Sequence, residues 1–197
     1  MNLINRYDKA LIRNPLLIKM ITNGVICFTG DAICQQINKR YYSKKGEKFD
    51  LYEALRFSVC GAFIATPCLH FYLTRIVPHI KFSKSTIANS RVRHWATIFL
   101  RIGIHTTTLM PVRWSLFFFG LGTLKHGHMK DGFETWHECF YDGMKEAVCF
   151  WPLISLGLYS VVPFRFGNLY MDCFNLIFMV MLSALVNEHE HHPTYHP

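Results

Sequence analysis

Acidic residues are scarce in this chain, and the signature motifs of the common enzyme classes are missing. The 197 residues include 13 Asp and Glu against 21 Lys and Arg, which gives a formal net charge of +8. The sequence contains no P-loop, no GxSxG, no HExxH and no dinucleotide-binding fingerprint. We therefore expect a protein that is not an enzyme and that has neither a catalytic residue nor a cofactor.

Cysteine is present, but without the spacing of a metal or redox site. None of the seven cysteines forms a CxxC pair, and most lie inside apolar runs, which is typical of small buried side chains. The tail, residues 187–197, is polar and rich in histidine, which is a ligand for transition metals. A solvated or partner-bound tail is the favoured interpretation, because imidazoles without a fixed geometry make poor metal sites. No metal site is predicted.

Long apolar stretches alternate with short basic segments. Hydrophobic residues make up 51% of the chain and aromatic residues 15%. Basic segments beside apolar runs suit the anionic headgroups of a bilayer, cardiolipin among them, better than they suit nucleic acid. The expected partners are a bilayer with anionic lipids and other membrane-protein subunits.

The apolar runs predict an all-α integral membrane helix bundle in a single domain, residues 1–197. Residues 1–15 form a basic N-terminal segment, and an interfacial amphipathic segment is expected at residues 123–145. Four to five runs approach the length of a membrane helix, about 17–25 residues. The last two are short, so they are either two crossings or one crossing with a re-entrant piece. The runs are residues 16–37, 51–77, 95–122, 147–164 and 168–186.

Two prolines fall inside these runs. Pro67 is expected to kink the second run and Pro111 to bend the third, because proline removes a main-chain donor and its ring clashes with the preceding turn.

A carboxylate lies in the middle of the first apolar run. An ionised Asp near the centre of a membrane costs roughly 2.5–3.5 kcal/mol on insertion scales. We therefore expect a cation, a polar cavity or a partner subunit to stabilise the carboxylate of Asp31. Its helical face, by spacing of three and four, consists of Gly24, Cys27, Phe28, Asp31, Gln35 and Asn38.

Charges inside apolar runs have two interpretations. They either line a polar path through the bundle or pair with one another and reach the headgroups. We favour pairing of Asp31 with Arg56 or Arg101, and Arg56 and Arg113 are placed to reach the headgroups. Asp172 is a further charge of this kind. The candidate buried-charge or pore-lining residues are Asp31, Gln35, Arg56, His70, Arg101 and His105.

The stretch from Gly30 to Gln36, GDAICQQ, resembles the Mpv-seventeen / peroxisomal-membrane-protein family of small multi-span organelle membrane proteins. Further matches follow in the family's order over nearly the whole chain. The framework residues of this resemblance are Gly30, Pro67, Trp151, Pro152, Pro163 and Ser183. The resemblance implies about four membrane helices, residence in the inner mitochondrial or peroxisomal membrane and no enzymatic activity, and some family members behave as small-solute channels.

The sequence departs from the family pattern at several polar positions. Where the family often has Asp-Gln before the proline of its third helix, this chain has His105-Thr106. The family's arginine after Val-Pro falls on Gly167, and its Trp-Asn falls on Phe178-Met179. This chain therefore has fewer of the family's polar residues, while it keeps the family's packing framework.

Two functions from different classes follow. The favoured one is an accessory, structural subunit packed in a larger respiratory-type assembly of the mitochondrial inner membrane. A basic leader and the lack of a peroxisomal C-terminal tripeptide favour that location. The alternative is a small-solute channel of the inner mitochondrial or peroxisomal membrane, lined by Asp31, Gln35, Arg101 and His105.

Overall fold

The computed structural model describes residues 3–41 and 49–178, and most of these residues are helical. No β-strand forms within these two ranges, so the predicted all-α class is confirmed. Ser183 and the His-rich tail, residues 187–197, lie outside the described residues.

Eight helices make up the described fold. They are α1 (Leu3–Arg13), α2 (Pro15–Tyr41), α3 (Leu51–Cys60), α4 (Thr66–Phe71), α5 (Ser90–Ile104), α6 (Met110–His126), α7 (Met129–Ser160) and α8 (residues 167–178). Three π-helical turns and two short 3-10 helices join or extend them: Gly61–Ala65, Tyr72–Ile76, His105–Leu109, Val77–His79 and Phe164–Phe166.

Local sequence signals set several helix ends. Asp50 caps α3, because its side chain accepts a hydrogen bond from the Glu53 backbone N–H at 3.0 Å. Asn89 caps α5 in the same way. Gly127, with φ of 83°, ends α6 in the left-handed conformation that glycine adopts most readily.

Each of the three π-helical turns ends two residues before a proline. The prolines are Pro67, Pro78 and Pro111. Proline has no N–H for the carbonyl four residues back, and its ring clashes with that carbonyl in a regular α-helix. A wider turn at this position relieves the clash without breaking the helix, so the helix that begins at Leu51 continues to His79. The disturbances predicted at Pro67 and Pro111 take this form.

Two helices in the described part of the chain are long and apolar enough to cross a membrane, Pro15–Ile37 and Leu51–His79. That number is smaller than the four to five predicted. The other long helices are more polar, since α5 and α6 contain Arg101 and Arg113, and the first half of α7 is rich in charged side chains.

The interfacial segment predicted at residues 123–145 is not a separate element. Its first residues end α6, and the remainder begins α7, a continuous helix of 32 residues. Pro152 lies inside this helix, next to Trp151, which is 2% exposed and packs against Phe150 and Phe178. Pro163 precedes the short 3-10 helix between α7 and α8.

The helices α2 and α8 are neighbours that run in the same direction. Arg165, just before α8, lies 3.3 Å from Asp8 in α1, just before α2. Further along both helices, Asn175 Nδ2 lies 4.0 Å from Cys27 Sγ. Gly30, which is buried, faces Leu176. The helix α8 therefore packs along α2.

Candidate functional site

A seam of buried polar side chains runs between α2 and α8 through the centre of the bundle. All its members are at most 8% exposed. We call this set the polar seam; it consists of Lys19, Asn23, Thr66, Arg113, Asn168, Asp172 and Asn175.

Regular helical spacing produces the two sides of the polar seam. On α2, Lys19 and Asn23 are four residues apart and share one face. On α8, Asn168, Asp172 and Asn175 are separated by four and three residues, so they also share one face. Two polar stripes therefore face each other across a helix contact that is otherwise apolar.

Asn23 joins α2 to the first π-helical turn. Its Nδ2 donates to the Gly61 carbonyl at 2.9 Å and to Thr66 Oγ1 at 2.8 Å, and its Oδ1 accepts from Cys27 Sγ at 3.2 Å. Thr66 Oγ1 donates to the same Gly61 carbonyl at 2.9 Å. Gly61 has to be a glycine for this approach, because a Cβ there would collide with Cys27 Sγ. This part of the polar seam is fully hydrogen-bonded.

Lys19 contacts His70, one of the predicted candidates. Its Nζ lies 3.1 Å from His70 Nδ1. An ammonium group has only donors, so Nδ1 accepts and the His70 ring is neutral. Lys19 is 3% exposed and His70 is half-buried, so the contact joins the polar seam to α4.

Asp172 is the carboxylate of the polar seam, and it is incompletely satisfied. It is 1% exposed, and its Oδ2 accepts no hydrogen bond. The charges of Arg113 and Lys19 both act on it. Within the described ranges, however, Asp172 forms no ion pair of 4.0 Å or less. The cations are close enough to stabilise the carboxylate but do not touch it.

Asn168, one turn before Asp172, is unsatisfied at both ends of its amide. The residue is 0% exposed, and neither Oδ1 nor Nδ2 has a hydrogen-bond partner. A buried polar group without a partner typically costs about 1–3 kcal/mol, and most such groups in proteins are satisfied. Asn168 and Asp172 therefore present buried polar atoms whose hydrogen-bonding capacity the protein itself does not use.

A small internal cavity adjoins the polar seam. Its volume is about 10 Å³, and three polar side chains line it, those of Cys27, Arg113 and Asn175. The rest of its wall is apolar and largely aromatic. A cavity of this size with polar partners is just large enough for one water molecule.

A second polar cluster surrounds His105, which is 1% exposed. His105 Nδ1 lies 3.1 Å from Ser155 Oγ and 3.2 Å from the Tyr159 hydroxyl, and the ring centroid of Tyr72 is 5.4 Å away. The charge of Arg113 also acts on His105. The cluster therefore continues the polar seam toward the N-terminal end of α5.

Arg101 lies one helical turn before His105, at the end of this second polar cluster. Its Nε donates to the Ile80 carbonyl at 3.1 Å, and its guanidinium lies 5.5 Å from the centroid of the Phe164 ring. Arg101, His105 and Arg113 are four and eight residues apart, and the wide turn at His105–Leu109 keeps them on one side of the α5–α6 helix.

Asp31 and Gln35 form a separate site at the other end of α2. Asp31 Oδ2 accepts a hydrogen bond from Gln35 Nε2 at 2.7 Å, and Gln35 also bonds to the Asp50 backbone. Neither Arg56 nor Arg101 pairs with Asp31, so the predicted pairing is wrong. Arg101 instead donates a hydrogen bond to the Ile80 carbonyl. The carboxylate of Asp31 accepts its hydrogen bond from the neutral side-chain amide of Gln35, four residues away.

Two further expectations concern the arginines. Arg113 was placed to reach the headgroups, yet it is 8% exposed and lines the central cavity. That expectation is wrong, because the His105–Leu109 turn and Pro111 continue the helix and put Arg113 in mid-helix, not near an end. Arg56 is half-buried on α3.

Sequence reasoning missed five members of the polar seam: Lys19, Asn23, Thr66, Asn168 and Asn175. The spacing of Asn168, Asp172 and Asn175 could have found both asparagines beside Asp172, because it puts three polar groups on one face of an apolar run. Lys19 and Asn23 gave the same signal on α2.

Comparison with known proteins finds distant relatives that cover most of the chain. PXMP2/4 family protein 1 of Dictyostelium discoideum is 25% identical over 190 residues, which is 93% of this chain and 84% of the relative. Protein sym1 of Aspergillus oryzae is 24% identical over 91% of this chain and 95% of the relative. The mitochondrial inner membrane protein Mpv17 of Caenorhabditis briggsae is 24% identical over 84% and 83%. No family model and no solved structure matches the chain.

Proposed function

Because the chain belongs to the family of the PXMP2/4, Sym1 and Mpv17 membrane proteins, we propose that its polar seam is the closed form of a path for small solutes. The resemblance drawn from residues 30–36 is confirmed by these relatives. So is the location in the mitochondrial inner membrane, which the Mpv17 relative carries in its name. The PXMP2/4 relatives leave the peroxisomal membrane as the alternative.

One observation carries the proposal: the unsatisfied, buried amide of Asn168 and carboxylate oxygen of Asp172. Ionisable and polar groups inside a membrane protein are costly, and they typically face a water-filled cavity or a solute pathway. A purely structural seam would be expected to satisfy its members, as the Asn23 part does. Of the two unsatisfied residues, Asp172 experiences the charge of Arg113, which lines the cavity.

The same proposal includes five membrane crossings. Each crossing reverses the direction of the chain, so the first and last helices of a series run in the same direction only when the number of crossings, counting both, is odd. The helices α2 and α8 are therefore parallel when α3–α4, α5–α6 and α7 each cross once between them. The contacts of Asp8 with Arg165 and of Cys27 with Asn175 support this parallel arrangement. Scanning glycosylation or protease protection at the Ser90 and Gly127 turns would place those turns on opposite sides of the membrane.

The test is conductance of the purified full chain in a planar bilayer, with Asn168→Leu as the variant. Leucine has the same number of side-chain heavy atoms in the same branched shape. It removes an unsatisfied buried amide, which offsets the cost of its bulkier methyl groups, so the variant should fold with a stability close to that of the wild type and should conduct less. Gln36→Leu, at an exposed position on α2, is the matched control. A wild-type chain without conductance, or an Asn168→Leu variant that conducts normally, contradicts the proposal.

The second candidate function is the accessory subunit of a larger inner-membrane assembly. The small size of the central cavity, about 10 Å³, favours it, because no solute larger than water passes through a seam of that size without a conformational change. Gentle solubilisation followed by a native gel separates the candidates. Migration with a large respiratory-type complex supports the subunit, and migration as a small oligomer supports the channel.

Anionic lipid is the partner that we propose for α1. Three basic side chains on this helix, Arg6, Lys9 and Arg13, are exposed, while Leu11 is buried. An amphipathic helix with this distribution lies in the membrane interface and contacts acidic headgroups. Binding of the full chain to immobilised cardiolipin should weaken when these three residues are replaced by Gln, and an unchanged affinity contradicts the assignment.

A further inference from the structure

The charges along the proposed path are mostly positive. Lys19 and Arg113 are buried in the polar seam, and Arg101 lies half-buried at the end of the His105 cluster. The polar seam contains one carboxylate, that of Asp172. Asp31 is also buried, but it is engaged by Gln35 at the far end of α2.

We infer that the polar seam selects small anions over cations, with Arg113 and Lys19 attracting the anion and Asp172 weakening its binding. This inference rests on the proposed solute path and names the class of solute that the path takes.

The groups that face the cavity fit an anion better than a cation. Arg113 carries five N–H donors and no acceptor, and it stays charged at any physiological pH. Asn175, also in the cavity wall, adds an amide donor. Asn168, one turn before Asp172, has a further amide donor without a partner. An entering cation would approach Arg113 in a medium that screens charge weakly, so the repulsion is far stronger than it is in water.

Asp172 gives the site a second property that conduction needs. Its carboxylate experiences the charges of both Arg113 and Lys19 and contacts neither within 4.0 Å. An anion in the central cavity would contact Arg113 and Asn175, and Asp172 would compete with it for the charge of the same arginine. Conduction requires binding that is favourable enough for entry and weak enough for exit, and a counter-charge beside two cations provides this balance.

The experiment measures the reversal potential of the full chain in a planar bilayer across a tenfold KCl gradient. The expected permeability ratio of chloride to potassium is above one. Arg113→Gln and Lys19→Gln should lower that ratio, and Asp172→Asn should raise it, each by roughly tenfold or less, at the low end of what focused charge does to local ion concentration.

Matched controls make the same chemical changes outside the polar seam. Arg91→Gln, Lys84→Gln and Asp142→Asn alter exposed residues and should leave the ratio unchanged. The wild-type ratio decides the inference even where a seam variant fails to fold. A ratio of one or below, or seam variants that fold and leave the ratio unchanged, overturns anion selectivity but leaves the solute path standing. A wild-type chain that does not conduct overturns both.

Discussion

Gln35 holds the backbone of Asp50 from both sides: its Oε1 accepts from the Asp50 N–H at 2.8 Å, and its Nε2 donates to the Asp50 carbonyl at 2.9 Å. The same Nε2 donates to Asp31 at 2.7 Å. Asp50 in turn caps α3. The Gly-Asp-x-x-x-Gln motif therefore fixes the start of α3 against α2, and this gives Asp31 and Gln35 a structural role.

Replacing Gln35 should loosen this junction. Gln35→Ala removes two hydrogen bonds to Asp50 and one to Asp31, so we expect a loss of about 1–3 kcal/mol in the free energy of unfolding. Denaturant titration in detergent measures it. Gln36→Ala, at the next and exposed position, is the control and should change stability by under about 0.5 kcal/mol. Equal effects of the two variants would contradict the role given to Gln35.

Asp31→Asn should cost little stability. An asparagine carbonyl can accept the same hydrogen bond from Gln35, and the substitution removes the repulsion that Asp50 and Glu53 exert on the carboxylate. We expect a change of under about 1 kcal/mol in thermal or chemical unfolding. Removal of one partner of a buried ion pair costs about 3–5 kcal/mol. A loss of that size would contradict this prediction, because it would show that Asp31 is paired with a cation.

Glycines at the contact of α6 with α7 should be intolerant of a methyl group. A Cβ on Gly132 would clash with Thr123 Oγ1 and lie 2.6 Å from the Phe119 carbonyl oxygen. Gly132→Ala should therefore destabilise the fold by about 1–3 kcal/mol. Gly103→Ala is the matched control, because nothing lies within 4 Å of its Cβ position; it should stabilise α5 by up to about 1 kcal/mol. Melting temperatures that move the same way in both variants would refute this.

The thiol of Cys27 reports on water in the polar seam. Cys27 lines the central cavity, whereas Cys60 is 0% exposed in the apolar core. In reconstituted protein, a small water-soluble methanethiosulfonate should label Cys27 faster than Cys60, as read by mass spectrometry of the native chain. Labelling of both at the same slow rate would indicate that the polar seam stays closed to solvent.

Much of the fold follows from the order of apolar runs and turns. Asp50, Asn89 and Gly127 mark helix ends by chemistry that is local in sequence. The shared face of α2 was also predictable, since Gly24, Cys27 and Asp31, spaced by three and four, are all buried in the structure.

The candidate site was less predictable, because it depends on contacts between distant segments. Asp172 meets the charges of Lys19 and Arg113 only after α8 packs beside α2, some 150 positions away along the sequence, a separation comparable to that of Asn175 from Cys27, 148 residues. The partner of a buried charge cannot be chosen from several cations by spacing alone. Asp31 illustrates the point, because its partner is an amide one turn away.

The wide turn at His105–Leu109 has a genetic consequence. Such a turn accommodates one residue more than a regular α-helical turn, so an in-frame loss of a single codon here would tighten it and rotate the preceding helix by about 100° relative to Arg113. Arg101 would swing away from Ile80 and Phe164, and a carbonyl would return against the Pro111 ring. Codon deletions should therefore be far more harmful at this turn than in the exposed stretch from Ser83 to Ala88.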